Sequence, residues 1–224
     1  MLFGAKGASS MTKRILCFGD SNTWGFDPDT MNRFPENVRW TRLLAAKLGD
    51  GYEIIEEGQN GRTIATDDDI EGEKNGLTYI APCIESQSPL NLLIIMLGTN
   101  DLKKRFALSA SDIADEMRVF LGKVQTAYLY HMETPPQILL ISPIHMGDNI
   151  RDSWLGEDFG FESATERSLQ FGRLFKDVAE EFGCHFLEGA TLADPSKSDA
   201  CHMDAAGHKV FAEGVYNKVI DILG

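Results

Sequence analysis

The chain has 224 residues, which suits one α/β domain, and its 43% apolar and 25% charged residues are typical of folded globular proteins. Nucleic acids and anionic membrane surfaces require a basic face, so the net charge of −13 argues against both as partners. Because no run of about 18 apolar residues occurs, we also expect no membrane-spanning helix.

Residues 1–12 lack the apolar core of a secretory signal, and we expect them to be a disordered or leader segment. Residues 13–224 are then predicted to form a single domain. The four cysteines are scattered along the chain without a CxxC pair. That pattern is typical of reduced thiols and favours a cytoplasmic location.

Short apolar runs alternate with amphipathic stretches along the chain. Buried strands are predicted at residues 14–18, 52–56, 92–97, 137–142 and 184–187. Apolar residues at helical spacing predict helices from Trp40 and after the capping residues Ser109, Ser163 and Asp204. This alternation predicts a three-layer α/β/α sandwich with a five-stranded, parallel, flavodoxin-like sheet.

Residues 144–161 form a long connection that is rich in glycine and carries Trp154, Phe159 and Phe161. A connection of this length either covers a site as a lid or packs on the surface. The sequence leaves both interpretations open.

Ligands of open parallel sheets bind beyond the carboxyl ends of the strands. Polar or glycine-containing loops follow the predicted strands there: GDSN at 19–22, NGR at 60–62, GTND at 98–101 and DACH at 199–202. We therefore expect these four loops to lie along one edge of the sheet.

Ser21, His202 and Asp199 have the chemistry of a catalytic triad. A serine hydroxyl becomes a nucleophile when a base, most often histidine, removes its proton. The histidine in turn needs an acceptor on its other ring nitrogen, and a turn can bring Asp199 to His202, three residues later. An oxyanion hole is expected from the Ser21 amide, the Gly61 amide and the Asn100 side chain.

The four loops resemble the sequence blocks of the SGNH hydrolases, also called GDSL esterases, which carry Ser in GDS, a Gly, Asn in GxND and His in DxxH. The stretches GDSNTWGF, RFPENVRWTRLLAAKLG, EEGQNGRT and LIIMLGTND are similar to the bacterial arylesterase/acyltransferase branch of that family. The resemblance implies a serine esterase for short-chain or aryl esters that needs no cofactor or metal. It also implies acyl transfer to alcohols in some members, and a homo-oligomer.

Other residues near the predicted site have two interpretations. Trp24 and Phe26 follow the Ser21 loop and either wall the substrate pocket or belong to the core. His145 follows the fourth strand, and we include it with Trp24 and Trp154 as a candidate pocket residue. Structural roles are expected elsewhere: Asp20, Arg62 and Asp101 as loop braces, His208 as a structural residue, Cys201 as an apolar filler facing away from the site, and residues 67–69 as a solvated acidic loop.

Two alternative functions remain open at this point. A carbohydrate O-acetylesterase is the alternative within the same family. A nucleotide or flavin binder on a flavodoxin-like sheet is the non-enzymatic alternative, with residues 19–23 as an anion-binding loop at a helix start. The absence of GxGxxG and GxxxxGK[ST] motifs argues against the latter.

Overall fold

A computed structural model of the protein describes residues 12–131 and 134–224. The segment expected at the start of the chain lies outside the described residues, except for residue 12. Five strands form one parallel sheet: β1 (Lys13–Gly19), β2 (Tyr52–Gly58), β3 (Leu92–Met96), β4 (Gln137–Ser142) and β5 (His185–Glu188). The strand order β2-β1-β3-β4-β5 is that of flavodoxin-like folds and confirms the predicted architecture.

Helices pack on both faces of this sheet. The described residues form α1 (Ser21–Trp24), α2 (Trp40–Leu48), α3 (Gly76–Gln87), α4 (Ala110–His131), α5 (Gly156–Phe159), α6 (Glu162–Ser168), α7 (Phe171–Glu181) and α8 (Ala205–Leu223). Short 3₁₀ turns occur at Asn100–Leu102, Lys104–Phe106, Asp148–Asp152 and Gly189–Thr191. Within the described segments, no helix is both long and apolar enough to cross a membrane.

Two hydrophobic cores lie on opposite faces of the sheet. Successive side chains of a strand point to opposite faces, so β1 contributes Leu16 to one core and Cys17 to the other. The first core is closed by α3, α4 and α7, and the second by α2 and α8. The central strand β3 is therefore apolar and buried along its whole length, and the polar loops lie at the edge of the sheet.

Two local predictions differ from the structure. The helix expected after Ser163 instead begins at Glu162 without a side-chain cap, because Phe161 enters it with a φ of 57°. Ser163 therefore lies inside α6, and its prediction as a capping residue is wrong. Helix α3 was not predicted, because Gly76 and Pro82 weaken its helical pattern.

Candidate active site

The four predicted loops meet around a cleft of about 240 Å³ at the carboxyl edge of the sheet. Its wall includes residues from every one of these loops: Ser21, Asn60, Gly61, Asn100, Cys201 and His202. The remaining lining residues are Phe26, Glu71, Lys103, Trp154, Leu155, Asp158 and Phe159. The cleft thus lies where ligands of a doubly wound sheet bind.

Ser21 is held at the junction between β1 and α1. The chain turns sharply there, and a Cβ atom on Gly19 would lie 2.8 Å from the Met96 carbonyl oxygen, so only glycine fits. Asp20 caps the turn, because its Oδ1 accepts a hydrogen bond of 3.0 Å from the Asn22 amide. Asp20 is therefore a loop brace, as expected, and burial raises the pKa of its carboxyl to about 6.

Ser21, His202 and Asp199 form a continuous hydrogen-bonded chain. The Ser21 Oγ lies 2.8 Å from His202 Nε2, and His202 Nδ1 lies 2.5 Å from Asp199 Oδ2. All three residues are buried, yet Ser21 and His202 both contact the cleft. The ring of Phe26 packs on the imidazole at a centroid distance of 4.4 Å, which restricts its rotation.

The Asp199 carboxylate is suited to remain ionised. Its Oδ1 accepts hydrogen bonds from the amides of Cys201 and His202, at 3.0 and 2.9 Å. Burial opposes ionisation, but these bonds and the one to the His202 ring hold the pKa of Asp199 below its ordinary value. An anionic acceptor thus lies against one nitrogen of the imidazole, while the other nitrogen contacts the serine hydroxyl.

Two of the expected oxyanion donors, Gly61 and Asn100, line the same cleft as Ser21. Gly61 borders the cleft with a φ of 80°, a conformation that favours glycine. The Asn100 side-chain amide donates one hydrogen bond of 3.1 Å to the Arg62 carbonyl, and its second N–H is left for a ligand. Arg62 in turn donates a bond of 2.8 Å to the Gly19 carbonyl, so it braces these loops together, as expected.

Of the three candidate pocket residues, Trp154 lines the cleft, whereas Trp24 and His145 do not. The Trp24 ring instead packs against the Arg33 guanidinium, 5.3 Å from the ring centroid. Ile144 and Met146 on either side of His145 are buried in the two cores, and His145 faces a separate cavity of about 520 Å³. The structure therefore corrects the placement of Trp24 and His145.

A cluster of charged residues beside the cleft was not predicted. Asp68, in the acidic run expected to be solvated, is only 4% exposed and lies 2.5 Å from Arg105 Nη2. Arg105 also contacts Glu71 at 2.7 Å and Asp158 at 3.7 Å. The buried Lys103 ammonium completes the cluster through Glu71. The basic run at 103–105 and the acidic run at 67–69 are both visible in the sequence, but nothing in the sequence shows that they pair.

Two further residues of the site have defined surroundings. Cys201 lines the cleft, contrary to the expectation that it faces away, and burial raises the pKa of its thiol well above the usual range. It is therefore a thiol rather than a thiolate.

His208 is buried in α8, where its Nδ1 accepts a hydrogen bond of 3.3 Å from the Trp40 amide, in line with a structural role.

The chain is similar to several known proteins. Residues 17–210 match the GDSL-like lipase/acylhydrolase family. Est24, a carbohydrate acetylesterase from Sinorhizobium meliloti, superposes with a TM-score of 0.87 and 34% identity over 94% of this chain and 99% of its own. An inhibitor-bound aryl esterase from M. smegmatis gives a TM-score of 0.88 and 32% identity over 94% and 100%. No curated protein matched the chain.

The flavodoxin-like sheet and the cleft at its carboxyl edge define the class as an SGNH-type acylhydrolase. The chain belongs to the GDSL-like lipase/acylhydrolase family, and it is a carboxylic ester hydrolase. This membership removes the nucleotide or flavin binder as an alternative.

Proposed function

We propose that the protein is a serine esterase that hydrolyses short-chain or aryl carboxylic esters, with Ser21, His202 and Asp199 as its catalytic triad. The observation that carries this proposal is the hydrogen-bonded chain from Asp199 through His202 to Ser21, with distances of 2.5 and 2.8 Å. A base within hydrogen-bond reach of the hydroxyl, oriented by a third group, is the arrangement that nucleophilic catalysis by serine requires.

The reaction begins when His202 Nε2 takes the proton of Ser21 and the Oγ attacks the ester carbonyl carbon. The carbonyl oxygen becomes an oxyanion that accepts hydrogen bonds from the amides of Ser21 and Gly61 and from Asn100 Nδ2. The C–O bond to the alcohol then breaks, and His202 donates its proton to the departing oxygen. A water, or a second alcohol in acyl transfer, repeats the cycle on the acyl-enzyme and frees Ser21.

The shape of the cleft favours a small substrate. Its volume is about 240 Å³, and its lining includes Phe26, Leu155 and Phe159, which offer apolar surface to a short chain or an aromatic ring. The similar M. smegmatis protein is described as an aryl esterase. We therefore place short-chain and aryl esters first among the substrates.

A carbohydrate O-acetylesterase is the second candidate, and the charged cluster favours it. Glu71, Lys103 and Asp158 line the cleft and offer hydrogen-bonding groups to sugar hydroxyls. Trp154, which is 56% exposed, offers an aromatic face to a pyranose ring. Est24, the similar protein from S. meliloti, is described as a carbohydrate acetylesterase. Comparing kcat/KM for p-nitrophenyl acetate and for an acetylated sugar separates the two candidates.

Replacing the nucleophile tests the proposal. Ser21→Ala is expected to lower kcat for p-nitrophenyl acetate by at least about 10⁴-fold, because no alkoxide can form. The wild type, but not the variant, should be labelled covalently at residue 21 by an organophosphonate. Ser163→Ala, at an exposed serine of α6, is the matched control and should keep wild-type turnover. Hydrolysis by folded Ser21→Ala at the wild-type rate would refute the triad.

A further inference from the structure

Two carboxyl groups that the proposed mechanism does not use meet behind the oxyanion loops. Asp101, directly after Asn100, is fully buried, and its Oδ1 accepts a hydrogen bond of 2.9 Å from the Ile64 amide. Glu116, on α4, accepts a hydrogen bond from the Thr66 hydroxyl through Oε1. Both carboxyls are therefore attached to the same short loop, which follows Gly61 in the chain.

One oxygen of each carboxyl group accepts no hydrogen bond from the residues described. Asp101 Oδ2 and Glu116 Oε2 are both buried, and neither has a hydrogen-bond donor among the residues described. Glu116 is the charged side chain that faces Asp101, and the other contacts of this carboxyl are backbone amides. Burial, and next the negative charge of Glu116, raise the pKa of Asp101 well above its ordinary range.

Two ionised carboxylates would repel each other strongly in this buried position. One proton between Oδ2 and Oε2 removes that repulsion and supplies the missing donor. The proton also closes a link from the Asn100 turn, through α4, to the loop after Gly61.

We propose that Asp101 and Glu116 share one proton, and that this bond holds the segments of Asn100 and Gly61 at a fixed separation. Both are positioning residues, since neither lines the cleft. The catalytic part of this inference rests on the proposed function, because Asn100 and Gly61 are its oxyanion donors. The sharing of the proton does not, and it is measured without substrate.

The test replaces each acid by its amide. In Asp101→Asn, the side-chain oxygen still accepts from the Ile64 amide, and the new N–H takes the place of the shared proton. Glu116→Gln does the same from the other side. Because the pKa of Asp101 is raised in the folded state, the wild type loses stability as pH rises. The Tm of each variant should therefore rise relative to the Tm of the wild type. We expect this gain to grow by at least about 2–4 °C between about pH 5 and about pH 9.

The double variant Asp101→Asn/Glu116→Gln distinguishes one shared proton from two independent groups. Its pH-dependent gain in Tm should be no larger than that of either single variant. Each variant, single or double, eliminates the same one shared proton. Asp115→Asn, an exposed neighbour on α4 that pairs with Arg118 at 2.8 Å, is the matched control and should follow the wild-type pH profile. A Tm difference that is independent of pH in either single variant would overturn the shared proton.

Turnover of p-nitrophenyl acetate tests the link to the oxyanion loops. Asp101→Asn should keep kcat within about threefold of the wild type, a difference below 1 kcal/mol in activation free energy. Asp101→Leu removes the acceptor of the Ile64 amide and the partner of Glu116, and its kcat should fall by about 10-fold or more. Equal kcat values for the two variants would overturn the positioning role and leave the Ser21 test unaffected.

Discussion

Each oxygen of the Asp199 carboxylate has a separate partner. Oδ1 receives the backbone amides of Cys201 and His202, which closes the turn, while Oδ2 receives the His202 ring. One carboxylate therefore fixes both the turn that carries the imidazole and the orientation of the imidazole itself. The three-residue spacing between Asp199 and His202 follows from this double contact.

At the same scale, Asn100 is the proposed oxyanion donor that mutation tests most directly. Asn100→Ala should lower kcat for p-nitrophenyl acetate by about 10²–10³-fold with little change in KM, because the lost bond forms mainly in the transition state. Asn217→Ala, at an exposed position of α8, is the control. An unchanged kcat in folded Asn100→Ala would remove this residue from the proposed mechanism.

Residues within the four motifs could be located from the sequence, whereas their surroundings could not. Ser21 and His202 follow from loops at strand ends, where topology alone brings them together. Trp24 and His145 were assigned to the pocket by their position in the chain. The direction of a side chain depends on what packs beside it, and Arg33 and the two cores determine that direction here.

Among the elements, helix α8 begins shortly after the DACH turn. The contribution of its N-terminal cap to stability can be measured by mutation. Asp204 accepts a bond of 2.7 Å from the Gly207 amide, as its prediction as a capping residue requires. Asp204→Ala should destabilise the protein by about 1 kcal/mol and lower its Tm by about 2–4 °C. In thermal denaturation, Ser163→Ala should have the Tm of the wild type, because Ser163 caps no helix. An equal loss of Tm in both variants would contradict the assignment of Asp204 as the capping residue.

The central strands β1, β3 and β4 were the most predictable elements, because each contains a continuous run of buried apolar residues. Helix α3 was missed because the residues that break its pattern, Gly76 and Pro82, lie within it. The sequence alone is compatible with either a lid or a packed surface connection at residues 144–161. In the structure, Trp154, Leu155 and Phe159 from this segment line the cleft. Only three-dimensional packing reveals that contribution.

For the whole molecule, the buried His208 makes stability depend on pH. Burial, and next the nearby charge of His202, lower the pKa of His208 from 6.5 to about 4. The fold therefore disfavours the proton that the unfolded chain binds, and stability falls as pH decreases from about 6.5 to about 4. At about 1.4 kcal/mol per pH unit, this loss reaches about 3 kcal/mol.

A His208→Asn variant tests this dependence, since its side-chain oxygen can still accept from the Trp40 amide. The Tm difference between the variant and the wild type should shift in favour of the variant as pH falls from about 6.5 to about 4. Thermal denaturation at several pH values measures it. A difference that stays constant with pH would contradict the lowered pKa, because it would mean that His208 binds its proton equally well in the folded and unfolded states.

The separation of Ser21 and His202 by 181 positions has a consequence for protein synthesis. During translation, Ser21 leaves the ribosome early, whereas His202 leaves it only after β5 has been synthesised. Under the proposed mechanism, a growing or prematurely ended polypeptide carries an ordinary alcohol at residue 21 and leaves surrounding esters intact. Ester hydrolysis then begins only in molecules whose five-stranded sheet is complete. The onset of activity can therefore serve as a measure of completed folding.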